Sequence, residues 1–115
     1  MAESTNSILG SVRKLLGPDE YFDPDLILHI NTAFATLQQL GVGPEDGFEI
    51  SDETTEWSEY IQDNKILNMV KSYIVLKVKL LFDISTASSY LIDQMNKECA
   101  EYEWRLSVAV DKWSS

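Results

Sequence analysis

The stretch NKILNMVKSYIVLKVKLLF, residues 64–82, constrains this chain more than any other part of it. It contains no Gly or Pro, and on a helical wheel it is apolar nearly all round. Only Asn68, Lys71, Ser72 and Lys79 form a polar strip, with Val75 inside it. A helix of that kind is stable only when other elements cover most of its circumference, so the spacing predicts a central helix with the rest arranged around it. The β-branched residues of SYIVLKVKLLF would also suit a strand, but the run is far longer than the usual strand of about 5–6 residues. Lys77 falls inside the apolar arc. It must snorkel or meet a carboxylate, because an unpaired buried charge costs roughly several kcal/mol.

Three further patterns can supply the cover. SILGSVRKLLG places Ile8, Val12, Leu15 and Leu16 on one side, with a polar residue among Ser4 to Ser7 as cap and Gly17-Pro18 as stop, and reads as a short satellite helix. DPDLILHINTAFATLQQLG has Asp23 as N-cap, Pro24 at the first helical position and Gly41 just past the end. Its Leu26, Ile27, Ile30, Ala33, Phe34, Leu37 and Leu40 share one face, and Leu28 and Ala35 point away from it. After FDISTASS, with Ser85 or a polar neighbour as cap, Leu91, Met95, Cys99, Tyr102, Leu106, Ala109 and Trp113 recur at spacings of four and three. Lys97 with Glu101, and Glu101 with Arg105, are spaced as ion pairs on that last helix. The fold class is therefore all-α: a small bundle of about four to five helices, with 1–115 as one domain, since a chain this long buries roughly two thirds of its unfolded surface and builds one core.

Between the first and second long helices lies a long acidic loop. From Gly43 to Trp57 it carries Glu45, Asp46, Glu49, Asp52, Glu53 and Glu56 and no Lys or Arg. It has no helical period. Phe48 and Ile50 could form a brief extended segment, and TTEWSEYIQ a short amphipathic turn before Asp63 or Asn64 caps the central helix. Loops longer than about 12–15 residues are uncommon in compact domains and are functional or disordered when present.

Charge and composition exclude several classes. A net charge of -10 argues against a sequence-independent grip on nucleic acid, which depends on Lys and Arg displacing counterions from phosphates. One cysteine, Cys99, makes no internal disulfide and lies in an apolar stripe, as a buried thiol does. No stretch has the length and apolarity of a membrane span and the N-terminus lacks a signal-peptide pattern, so the expectation is a soluble, unexported protein. His29, the one histidine, flanks a core face and reads as structural. No Cys or His cluster has metal-ligand spacing, the loop does not fit the EF-hand register, and LGVGP lacks the Lys-Ser/Thr of a phosphate loop. No catalytic, metal or cofactor site is expected.

What remains is surface. Between Asp25 and Glu45 there is no charged residue, although this includes a helix whose outer side carries Leu28, Asn31, Thr32, Ala35 and Gln39. An uncharged outer face is either a solvated one or a contact surface, because interface cores are depleted of charge. On the last helix Trp104 and Val108 lie one turn apart opposite the core stripe, beside Arg105, with Trp113 further on. Tryptophan is enriched in binding hot spots. The other reading is that the first short helix covers Trp104.

Three segments carry a family resemblance. WSEYIQDNKILNMVKSYIVLKVKLLFD, the later EYEWRL, and DLILHINTAFATLQQLGVGP with its Leu-Gly-Val exit resemble the small head-to-tail connector proteins of long-tailed bacteriophages, also described as head-completion or DNA-packaging proteins. The resemblance runs from about Phe22 to Leu106 and is strongest over Tyr73 to Asp83 and Glu103 to Leu106. Where the family has FDPP after the central helix, this chain has Phe82-Asp83-Ile84-Ser85. The resemblance implies a non-enzymatic virion subunit that forms a ring of about a dozen copies, joining the portal protein to the next tail-side connector or stopper at the head-to-tail junction after assembly in the host bacterial cytoplasm. DNA would pass through without specific binding. The acidic loop would either line the channel or dock on a basic partner surface with Phe48, Ile50 and Trp57 as anchors, and would order only on assembly. A competing class is the acidic DNA mimic that inhibits a nucleic-acid-binding protein. It requires carboxylates spread along one exposed face, whereas twelve of the nineteen acids here fall between Asp19 and Asp63.

Overall fold

The structure, a computed structural model, describes residues 7–16, 23–83 and 89–114, with side chains as far as residue 81 in the third helix and 109 in the last. Four α-helices account for it: α1 (Ile8–Leu16), α2 (Asp23–Gln39), α3 (Asn64–Asp83) and α4 (Ser89–Ser114). A single 3-10 turn, Trp57–Glu59, lies in the loop before α3, and there is no strand among the described residues. The all-α bundle is as the sequence predicts, and the run from Asn64 is helix throughout rather than strand.

α3 occupies the centre. It packs most extensively on α4, next on α2, and also on α1. Val70, Tyr73, Ile74 and Val78 are fully buried, and each apolar side chain so buried contributes about 1.5–3 kcal/mol. Past its first two residues, Asn64 and Lys65, α3 is exposed only on the predicted polar strip, at Asn68, Ser72 and Lys79; Lys71 and Lys77 are half-buried. α2 buries Leu26, Ile30, Ala33, Phe34 and Leu37 and exposes Leu28 and Ala35, as the wheel requires. Along α4 the core stripe holds at Met95, Cys99 and Leu106, but its first member, Leu91, is 47% exposed.

Helix ends follow local chemistry. Asp63 caps α3: its Oδ1 accepts the N–H groups of Lys65 and Ile66 at 3.0 and 3.1 Å. After α2, Gly41 adopts φ +85°, and the N–H groups of Gly41 and Val42 reach back to the carbonyls of Gln38 and Leu37, a Schellman closure with Val42 buried beside Leu37. α2 begins at Asp23, whose carboxylate is engaged by Arg13 of α1 at 3.0 and 2.8 Å rather than held free as a cap. Ser7 caps α1 by accepting the N–H of Gly10 at 3.0 Å. The predicted Ser85 cap and Gly17-Pro18 stop lie outside the described residues.

α1 is not the satellite its length implied. Ile8, Leu9 and Val12 are buried in the core shared with α2 and α3, while Leu15, expected on the inner side, is 68% exposed. The buried arc of α1 is turned toward Ile8 and Leu9 because its first turn is held against the acidic loop: Ser7 bridges Glu56, and the Ile8 N–H donates to the Thr55 carbonyl at 3.1 Å.

Two glycines and two tyrosines provide tests. Gly43 has φ +85°, and a Cβ there would lie 2.5 Å from the Tyr60 ring, so Gly43→Ala meets both backbone strain and a clash. Gly41→Ala meets strain alone. Urea unfolding should show Gly41→Ala losing about 1 kcal/mol and Gly43→Ala clearly more. The hydroxyls of Tyr60 and Tyr73 are pushed above the ordinary value of 10.0, mainly by burial and, for Tyr73, also by the Glu103 carboxylate 2.8 Å away. A pKa raised on folding means stability is complete below pH 10 and is lost as pH rises beyond it. Alkaline unfolding curves should therefore fall from about pH 10 with a slope approaching 1.4 kcal/mol per pH unit for each tyrosine, and Tyr60→Phe should remove one share of that slope.

Candidate assembly surfaces

The acidic loop packs on the body of the chain. A loop without helix or strand pairing must still satisfy its backbone polar groups, and here side chains of α1 and α2 do so. Asn31 accepts the Ile50 N–H at 2.8 Å and donates to the Ile50 carbonyl at 2.9 Å, as a neighbouring strand would. Ser7 donates to the Glu53 carbonyl at 2.7 Å, and Gln38 to the Glu45 carbonyl at 3.0 Å. Trp57 donates its indole N–H to the Ser11 hydroxyl at 2.8 Å, with Lys71 over its ring at 5.5 Å. Phe48 and Tyr60 stack around Phe34 with centroids 4.6–5.1 Å apart.

These contacts correct part of the predicted interface. Ile50 and Trp57 are each 3% exposed and belong to the chain's own core, so they are not anchors for a partner. Phe48 is half-buried in the aromatic cluster, and the Asn31 amide is engaged by Ile50. The apolar residues of the loop face inward, onto the core that α1, α2 and α3 share.

The carboxylates face the other way. Glu45, Asp46, Glu49, Asp52 and Glu53 are exposed and Glu56 is half-exposed. Asp52 accepts the Thr54 hydroxyl and N–H at 2.5 and 2.9 Å, which holds its carboxyl below the usual range. Glu59 accepts the Glu56 N–H at 2.8 Å. One cation reaches the loop as an ion pair among the described residues: Arg13, bound to Asp23 and 3.6 Å from Glu53. Arg13, Ser7 and Ser11 were not singled out in the sequence. The available signal was that Arg13 and Lys14 are the last cations before a stretch without any, from Asp19 to Asn64.

Two exposed helical faces remain. On α2, Leu28 is 62% exposed, and Thr32, Ala35 and Gln39 are exposed in line with it. On α4, Trp104 is 66% exposed with Val108 and Arg105 beside it, so α1 does not cover it. Trp113 lies outside the described side chains. Of the two expected ion pairs on α4, Glu101–Arg105 forms at 2.5 Å, and Lys97 makes none among the described residues. α2 and α4 both lean on α3 rather than extensively on each other, so their outer faces look away from the centre of the bundle. A cleft of about 390 Å³ opens beside the α2 face, with Ala35 and Phe48 in its wall and Asn31, Gln38, Asp46 and Glu49 around it. A groove of about 370 Å³ runs between Leu15, the α3 strip at Lys71 and Lys79, and Tyr102.

The titratable groups show no convergent arrangement. Burial raises the Cys99 thiol against a lowering by Lys77, so it stays protonated and unreactive at neutral pH. No group of three or more His, Cys, Asp and Glu side chains among the described residues is placed to hold a metal ion, and no described helix is long and apolar enough to cross a membrane. Among the described residues the molecule presents two exposed helical faces and a loop with outward carboxylates. A family profile described as phage connector protein matches residues 8–113, and the chain belongs to that family. Membership makes it a bacteriophage head-tail connector of structural virion type. No curated protein and no solved structure matches it.

The Asn31 clamp predicts a specific loss. Asn31→Ala leaves the Ile50 N–H and carbonyl without partners in a buried setting, which should cost about 2–4 kcal/mol and accelerate amide exchange at Ile50 well before that of α3. Thermal unfolding and hydrogen exchange measure both.

Proposed function

We propose that the chain is a single-domain, non-catalytic subunit of a closed ring between the capsid portal and the next tail-side protein, with its acidic loop turned to the channel through which DNA leaves. The observation that carries this is how the loop is held. Ser7, Asn31 and Gln38 bind its backbone and Ile50 and Trp57 fix it from inside, so the carboxylates of Glu45, Asp46, Glu49 and Asp52 stay outward on a rigid support. Fixed negative charge around a bore repels phosphates, and closing a ring multiplies a small repulsion by the number of subunits. A duplex then slides without adhering. A ring made of one chain needs two unlike, complementary patches, and the outer faces of α2 and α4 are the exposed candidates.

Electron microscopy of the purified protein, alone and mixed with its portal, tests the ring directly: uniform rings coaxial with the portal support it, and a chain absent from the vertex of the assembled particle ends it. The loop's role is tested by Asp52→Asn, Glu53→Gln and Glu56→Gln together. The expected outcome is unchanged portal binding in a pull-down and slower DNA release, with the slowing greatest at low salt, where the lost repulsion is least screened. Weakened portal binding would mean instead that the loop docks on a basic partner surface.

A further inference from the structure

We draw no further inference here: the strongest candidate, the groove between α1, α3 and α4 with Leu15, Val75, Leu76 and Tyr102 in its wall, carries the opposing charge of Glu98 beside Lys71 and Lys79, and nothing in the structure shows what covers it.

Discussion

The structure depends on covering a helix that is apolar on almost every side. α2 and α4 cover two flanks of α3, and α1 with its three buried residues covers part of a third. Three helices around one leave gaps, and here the loop before α3 contributes to closing them: Val42, Ile50, Trp57 and Tyr60 all enter the same core. The loop is therefore structural before it is anything else. Its order follows from the demand of α3 for cover rather than from any local propensity.

That requirement sets where the charge lies. Apolar loop residues turn inward, so the intervening carboxylates turn outward, and the backbone between them must be satisfied without a strand ladder. The amide of Asn31 and the hydroxyl of Ser7 do this while drawing on no carboxylate. The carboxylates of Asp52 and Glu59 accept the N–H groups of Thr54 and Glu56, and Arg13 braces the start of α2 and the loop at Glu53 from α1. A patch of negative charge results, met among the described residues by one ion-pairing cation, Arg13.

How much of this is legible in the sequence depends on whether a feature is local. The buried and exposed faces of α2, the Asp63 cap, the Gly41 exit and the central place of α3 all follow from residue spacing or from one residue's chemistry, and each is found. The α2 stripe of Leu28, Thr32 and Ala35 and the α4 pair Trp104 and Val108 are read correctly as exposed because a wheel opposes them to a strong core face. The failures are tertiary. Nothing within four residues of Trp57 tells that Ser11 will receive its indole N–H, and Ile50 looks like an exposed anchor until Asn31 claims its backbone. α1 is too short for its period to define a face, so its inner side is decided by the loop it pairs with.

Segregated charge also bears on the symmetry of assembly. From Asp19 to Asn64 the chain carries twelve acids and no Lys or Arg, whereas from Lys65 onward seven cations accompany six acids. A two-fold dimer joins each patch to its own copy, so pairing through the α2 and loop side would set carboxylates against carboxylates, a juxtaposition that costs association energy. A head-to-tail contact, as the proposed ring requires, would instead set that side against a different face of the next copy. The unequal distribution of charge thus weighs against a two-fold contact through the α2 and loop side. In the ring proposed above, the loop carboxylates would recur at the same position in every subunit, so one chain's local acidity would form a continuous band around the assembly.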